Sequence, residues 1–301
     1  MSPGWALPLV IVMQTRSQGV PTRPVAWAVQ SPRPQVCLAA PGLWEVSRQA
    51  LLARRCRELS RAQALLLRAP EQALARASAL AQQAPELLEA RVLRGRASLR
   101  VGKPDAALAD LLPLLSDEPG AVADAAALQD GGRAALALSD LATAARFYRK
   151  LGGGAALLPE RTQQVVAYIE IAATLLASPT PPWDEVLAYL REARRRSAGS
   201  GFGSLGVGLT ALAWIAQGRE AEGQGVLAEL VDPWALERFA KPAEVWLPAP
   251  VFHAMMGLAL ERQKGDFSAE HYRALAETPL SSVPLRKLGS RRKEPAKRGA
   301  K

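Results

Sequence analysis

Three observations predict an all-α fold, an α-solenoid of five to six antiparallel helix pairs. Ala, Leu and Arg dominate the composition, and all three lose little rotamer freedom in a helix. Period-two runs of β-branched and aromatic residues, the mark of strands, are nearly missing. Residues of matching size recur at long fixed spacings. Pro85 and Pro119 are 34 apart, as are Ala73 and Ala107, while Gly95 and Gly132, Ala107 and Ala144, and Leu111 and Tyr148 are 37 apart. A 34-residue period with an occasional three-residue insertion is that of a helix–turn–helix repeat. With 49% hydrophobic residues in 301, the chain has enough apolar material for a core running along such a stack.

Residues 1–42 are irregular, because Pro3, Pro8, Pro21, Pro24, Pro32, Pro34 and Pro41 forbid a long helix. Trp5 to Met13 is a nine-residue apolar run, too short to span a bilayer but of the length of an export-signal core. Ala26-Trp27-Ala28 resembles a cleavage site. Against export, no Lys or Arg precedes the run and the gap to Ala28 is long; a misplaced start codon would account for both. Periplasm or cell envelope is the compartment expected if the segment is a signal, and the cytoplasm otherwise. No later segment is apolar for long enough to be transmembrane.

The helical region is expected over residues 43–279, and its best unit runs from Leu88 to Ala121. There Gly95 is the small residue of a first helix, Gly102 its αL terminator, Ala107 the small residue of a second helix, Leu111 its bulky partner and Pro119 the closing proline. Helices approach closely where one offers Gly or Ala to a large side chain of the other. Pro113 lies inside that second helix and is expected to kink or shorten it. The unit from Arg54 to Leu87 keeps Ala73 and Pro85 but has Ser60 and Arg61 where a large–small pair belongs. From Ala125 the pattern returns with Gly132, Ala144 and Tyr148. Arg161 to Ser197 has an expanded turn before Trp183. Leu209 to Leu230 reads helix, Gly218, helix, with Ala211 and Gly223 in the small positions. A last pair runs from Val251 to Glu277, with Gly257 and Ala269 twelve apart.

These residues resemble a tetratricopeptide-repeat protein over roughly residues 50–277. The Ala-, Arg- and Gly-rich usage suggests a divergent bacterial member of high GC content. The signature Trp near the start of each repeat is missing, with Arg91 in its place in the best unit. The resemblance implies a right-handed superhelix whose first helices line a concave groove for an extended peptide or a partner's helix. Arg96 and Arg133 then share one groove-facing position in consecutive repeats, with Leu99 and Leu136 one turn on. That strip suits an acidic or C-terminal segment, since Arg reads carboxylates bidentately; the alternative is two solvated surface charges. The family's carboxylate clamp of Lys and Asn is not present, so a chaperone-tail role does not carry over. The expected partner is a protein or peptide.

The segment 232–250 breaks the period and concentrates Trp234, Phe239 and Trp246. It reads either as a short inserted helix covering the apolar flank of the last pairs or as a partner surface anchored by Trp234 and Trp246. Residues 280–301 are too charged and too poor in apolar groups to fold. Eight basic residues there face Glu294 alone, so seven of the ten net positive charges lie in this tail. The high isoelectric point therefore says little about the helical region. The tail could bind nucleic acid or an anionic surface electrostatically, and nucleic acid is not otherwise expected.

Chemistry-bearing motifs are sparse. Cys37 and Cys56 would form a disulfide in an oxidising compartment, worth very roughly 3 kcal/mol for a loop of that size, and would otherwise be two thiols. No Cys-x-x-Cys occurs, and His253 and His271 lie far off, so neither a metal nor another cofactor is expected. Gly201 to Gly206 matches G-x-G-x-x-G but follows the helical run REARRRS rather than a strand, so it reads as a turn. Gly95 to Lys103 has the wrong spacing for a phosphate loop. Glu220 and Glu222, two apart on a helix, do not face each other. Arg194-Arg195-Arg196 closes a helix, where cations suit the dipole. Catalysis is not expected; a binding scaffold is, with a tail-mediated anionic-surface adaptor as the alternative.

Overall fold

The helix-forming bias is realised throughout a computed structural model that describes residues 50–85, 87–116, 124–198, 200–240, 244–261, 270 and 272. Twelve α-helices and no strand occur among the described residues. They are α1 (Ala50–Leu65), α2 (Pro70–Gln83), α3 (Leu88–Arg100), α4 (Pro104–Leu111), α5 (Ala125–Ala137), α6 (Leu141–Gly152), α7 (Arg161–Leu176), α8 (Trp183–Arg196), α9 (Gly203–Ala216), α10 (Glu220–Leu227), α11 (Trp234–Phe239) and α12 (Ala249–Glu261). Adjacent helices pair from α1–α2 through α9–α10, and each pair meets the next through α2–α3, α4–α5, α6–α7 and α8–α9. First helices also touch one another, α1 with α3, α3 with α5 and α7 with α9.

One turn geometry recurs in three pairs. Gly102, Ser139 and Gly218 lie at φ of 77°, 60° and 76°. The next residue's N–H reaches back five positions each time: Lys103 to Ser98 O, Asp140 to Ala135 O and Arg219 to Trp214 O, all at 2.9 Å. This closing bond satisfies a carbonyl that the helix end would leave orphaned. The second helix then begins two residues after the left-handed one, at Pro104, Leu141 and Glu220. Pro104 tolerates the first helical position because its missing N–H would be unpaired there anyway. The Asp140 carboxylate caps α6 by accepting from Thr143 N at 2.9 Å. The Thr143 hydroxyl, with that backbone bond second, holds the Asp140 pKa below the ordinary carboxylate value.

Within the pairs, small residues face large ones as the sequence predicts. A Cβ on Gly95 would lie 2.9 Å from Leu111, and one on Gly132 would lie 2.7 Å from the Tyr148 ring. Both contacts span 16 positions, so α3–α4 and α5–α6 pack in the same register. Pro113 shortens its helix: α4 stops at Leu111, and Leu112–Leu115 continues as a single 3-10 turn.

The unit predicted from Leu209 starts six residues earlier, because α9 begins at Gly203. Glycine disfavours helix, but here packing decides. A Cβ on Gly208 would meet Met255 of α12 at 2.8 Å, so the glycine lets α12 lie close against α9. Gly201, in the turn before α9, lies under the Phe239 ring of α11. The inserted segment thus covers α9, with Leu236 fully buried. Only part of the predicted last pair, Val251 to Glu277, falls within the described residues.

The core changes in character along the chain. Around α1 to α3 it consists of two small, alanine-rich clusters. From Val92 onward a single large cluster runs through α4 to α12. The helix α3 divides the two, giving Leu93 and Ala97 to one side and Val92 to the other. Ser139 is exposed and pays a left-handed backbone cost that Gly102 and Gly218 avoid. Ser139→Gly should therefore raise the free energy of urea unfolding by about 1 kcal/mol.

Candidate functional site

Arg96 and Arg133 each follow the close-packed glycine of their helix, Gly95 and Gly132, and each engages carboxylates of the next pair. Arg96 on α3 donates from Nε to Asp130 Oδ2 at 2.8 Å and from Nη1 to Asp124 Oδ2 at 3.1 Å. Arg100, one turn on, donates to Asp130 Oδ1 at 3.3 Å. Arg133 on α5 grips Glu170 on α7, with Nε 3.0 Å and Nη2 2.7 Å from Oε1. The Arg96 and Arg133 side chains are only 13% and 9% exposed, and Glu170 is fully buried. The carboxylates expected from a partner are thus supplied from within the chain.

Glu170 is the most heavily solvated by protein. Besides Arg133 it accepts from Gln129 Nε2 at 2.8 Å, from the Tyr148 hydroxyl at 3.3 Å and from the Trp246 backbone N–H at 3.0 Å. Arg133 in turn donates from Nη2 to the Glu244 carbonyl at 3.2 Å. A buried charge needs such a full complement, because each lone pair left bare costs desolvation energy that nothing returns. Burial works against the charge on Arg133, but Glu170 outweighs it and the guanidinium pKa rises. Arg96 follows the same balance, with Asp130 and Asp124 overcoming its burial. Burial, aided by the Glu170 charge, pushes the Tyr148 phenol well above its ordinary value.

The remaining candidates lie apart from this cluster or at its edge. Leu99 and Leu136 are half-buried near the ends of α3 and α5, and Leu136 packs on the large core. Trp234 opens α11, half-buried against the same core, with its N–H capped by Asp232 Oδ1 at 2.9 Å. Trp246 is half-buried too, and it reaches the site through its backbone. Cys56 is buried on α1 and disulfide-bonded; Cys37 lies outside the described residues. His253 is buried on α12 with its ring 5.7 Å from Phe252; His271 and the tail 280–301 lie outside. Glu222 pairs with Arg219 at 2.8 Å. Arg194 reaches Glu229 at 2.6 Å, while Arg195 and Arg196 share Glu192.

Sequence reasoning missed Asp130 and Glu170 because a charge inside an apolar helical run reads as a solvated face. The signal was the spacing: 34 positions from Arg96 to Asp130 and 37 from Arg133 to Glu170, the same as between equivalent glycines and alanines. The Glu244 and Trp246 contacts are made by backbone and have no sequence signature. Among the described residues no helix is long and apolar enough to cross a membrane, and no three His, Cys, Asp or Glu side chains converge as a metal site. Compared with family models, curated proteins and solved structures, the chain gives no match.

Removing one side of a buried ion pair strands the other, so Glu170→Ala should lose about 3–5 kcal/mol in urea unfolding. Alkali should also unfold the protein. Burial first, with Glu185 and Tyr168 adding, pushes Tyr189 up to about 12 from 10.0. A raised folded value means the unfolded chain ionises first, so this stability is full below about pH 10 and lost as pH climbs toward 12. Tyr148 acts in the same direction. Tyrosinate absorbance should therefore rise together with the loss of helical circular dichroism.

Proposed function

We propose that this chain is a non-enzymatic protein-interaction scaffold, built as a tetratricopeptide-like right-handed solenoid that takes a protein or peptide on its concave side. One observation carries the reading: four side-chain contacts between successive pairs span 34 to 37 positions, close to one repeat length. Arg96 to Asp130 spans 34 positions, Arg133 to Glu170 spans 37, Arg194 to Glu229 spans 35 and Lys150 to the Ser116 carbonyl spans 34. A stack in which each unit touches its neighbours produces that pattern, and such stacks present long continuous surfaces. The recurrent turn at Gly102, Ser139 and Gly218 supports the same unit.

Within this reading Arg96 and Arg133 set the angle between units, and the half-buried Leu99 and Leu136 beside them are the groove residues left to meet a partner. A cell-envelope location fits the apolar run at Trp5 to Met13. The second reading, an anionic-surface adaptor, rests on the seven net positive charges in residues 280–301.

Affinity capture from the source organism's lysate, with mass spectrometry, separates the two. Under the scaffold reading, Leu99→Glu with Leu136→Glu loses a specific set of proteins while deletion of residues 280–301 retains them. The adaptor reading predicts the reverse, with steep loss of binding on added salt. Identical capture by wild type and the leucine variant, with that variant folded, contradicts the groove.

A further inference from the structure

The Arg133–Glu170 pair does more than join two helices, because it also grips backbone. Arg133 Nη2 donates to the carbonyl of Glu244, and Glu170 Oε1 accepts the N–H of Trp246. In an extended segment, the carbonyl of one residue and the N–H two residues on point to the same side. One buried donor and one buried acceptor therefore read one edge of residues 244–248. Along the segment Glu244 is exposed, Val245 buried, Trp246 half-buried, and Leu247 and Pro248 both buried. Residues 245–247 belong to no helix or strand, and the Pro248 carbonyl already accepts the first helical hydrogen bond of α12, from Phe252 N at 3.0 Å. Their attachment to α5 and α7 thus resembles that of a peptide lying in a receptor, with apolar side chains buried and polar groups for the main chain.

We propose that Arg133 and Glu170 form a binding site for extended polypeptide backbone and that residues 244–248 are its built-in occupant. The site takes a short apolar segment, as Val245, Leu247 and Pro248 are buried, and leaves the side chain at the Trp246 position half-exposed. The strap keeps the pair desolvated and closes this stretch of α5 and α7 to other peptides. A competing partner segment would have to displace it and satisfy the same two backbone groups. The inference rests on the scaffold reading for its biological use. The site itself, made of residues within this chain, stands independently of any partner.

The test uses the full chain with residues 244–248 replaced by a Gly-Ser sequence, and a synthetic peptide copying residues 241–250, KPAEVWLPAP. The peptide should bind this variant and leave wild type, whose site is filled, untouched. Methylating the peptide nitrogen at the Trp246 position removes the N–H that Glu170 accepts, and should weaken binding about tenfold or more, the effect of losing a hydrogen bond to a charged group. A folded variant that ignores the peptide, or binds the methylated form equally, overturns the proposal. Should the variant fail to fold, hydrogen exchange on wild type decides. A displaceable strap predicts that the Trp246 amide exchanges by an opening that leaves the α7 amides protected. Exchange of Trp246 only with global unfolding makes the strap permanent core and overturns the proposal. Neither measurement involves lysate capture, so failure here leaves the scaffold reading standing, and failed capture leaves this site standing.

Discussion

The ion pair between Arg133 and Glu170 is the constraint around which the larger core is arranged. A carboxylate with no solvent exposure has lost its water, and here Arg133, Gln129, Tyr148 and Trp246 together replace it. Those groups come from α5, α6 and the segment before α12. Three parts of the chain that are distant in sequence must therefore be in place together. Apolar burial supplies most of the stabilisation and is non-directional. The charged cluster adds a positional requirement, since a slipped helix would leave a buried charge bare.

A weaker copy of the arrangement sits one unit earlier. Arg96, Arg100 and Asp124 are partly open to solvent around a buried Asp130, and the neighbouring core around α1 to α3 is small and alanine-rich. Ala buries little area per residue, so each interface there contributes less than the Tyr-, Phe- and Leu-bearing interfaces of α5 to α8. Stability in a stack is a sum over neighbours. The N-terminal pairs are thus the ones expected to open first, and the Cys56 disulfide falls in that weaker part.

Much of the fold was legible because it depends on local rules that repeat. Gly102 and Gly218 read as turn residues from position alone, and both have the left-handed backbone. That Gly95 corresponds to Gly132, and Leu111 to Tyr148, was readable from a spacing of 37, and the structure packs each glycine against its bulky residue. Pro113 forecast the early stop of α4. Ser139 occupies the same turn without announcing itself, because serine gives no left-handed signal. The start of α9 was misjudged for the opposite reason: its glycines signal a turn, yet Gly203 and Gly206 lie in the helix that Gly208 packs against Met255. At the site, the alignment of Arg96 with Arg133 was readable. Their partners were not, since an arginine's sequence context does not say whether its carboxylate comes from its own chain. The strap contacts were beyond reach altogether, being made by main-chain atoms 76 and 111 positions away.

The central claim is that the successive pairs are held in register by buried arginine–carboxylate contacts. A double-mutant cycle on Arg133 and Glu170, using Arg133→Met and Glu170→Leu with urea unfolding of all four proteins, measures that coupling directly. The arrangement predicts that each single variant is strongly destabilised and that the double variant recovers much of the loss, giving a coupling of about 2 kcal/mol or more. Additive losses, with coupling within about 0.5 kcal/mol of zero, would contradict it.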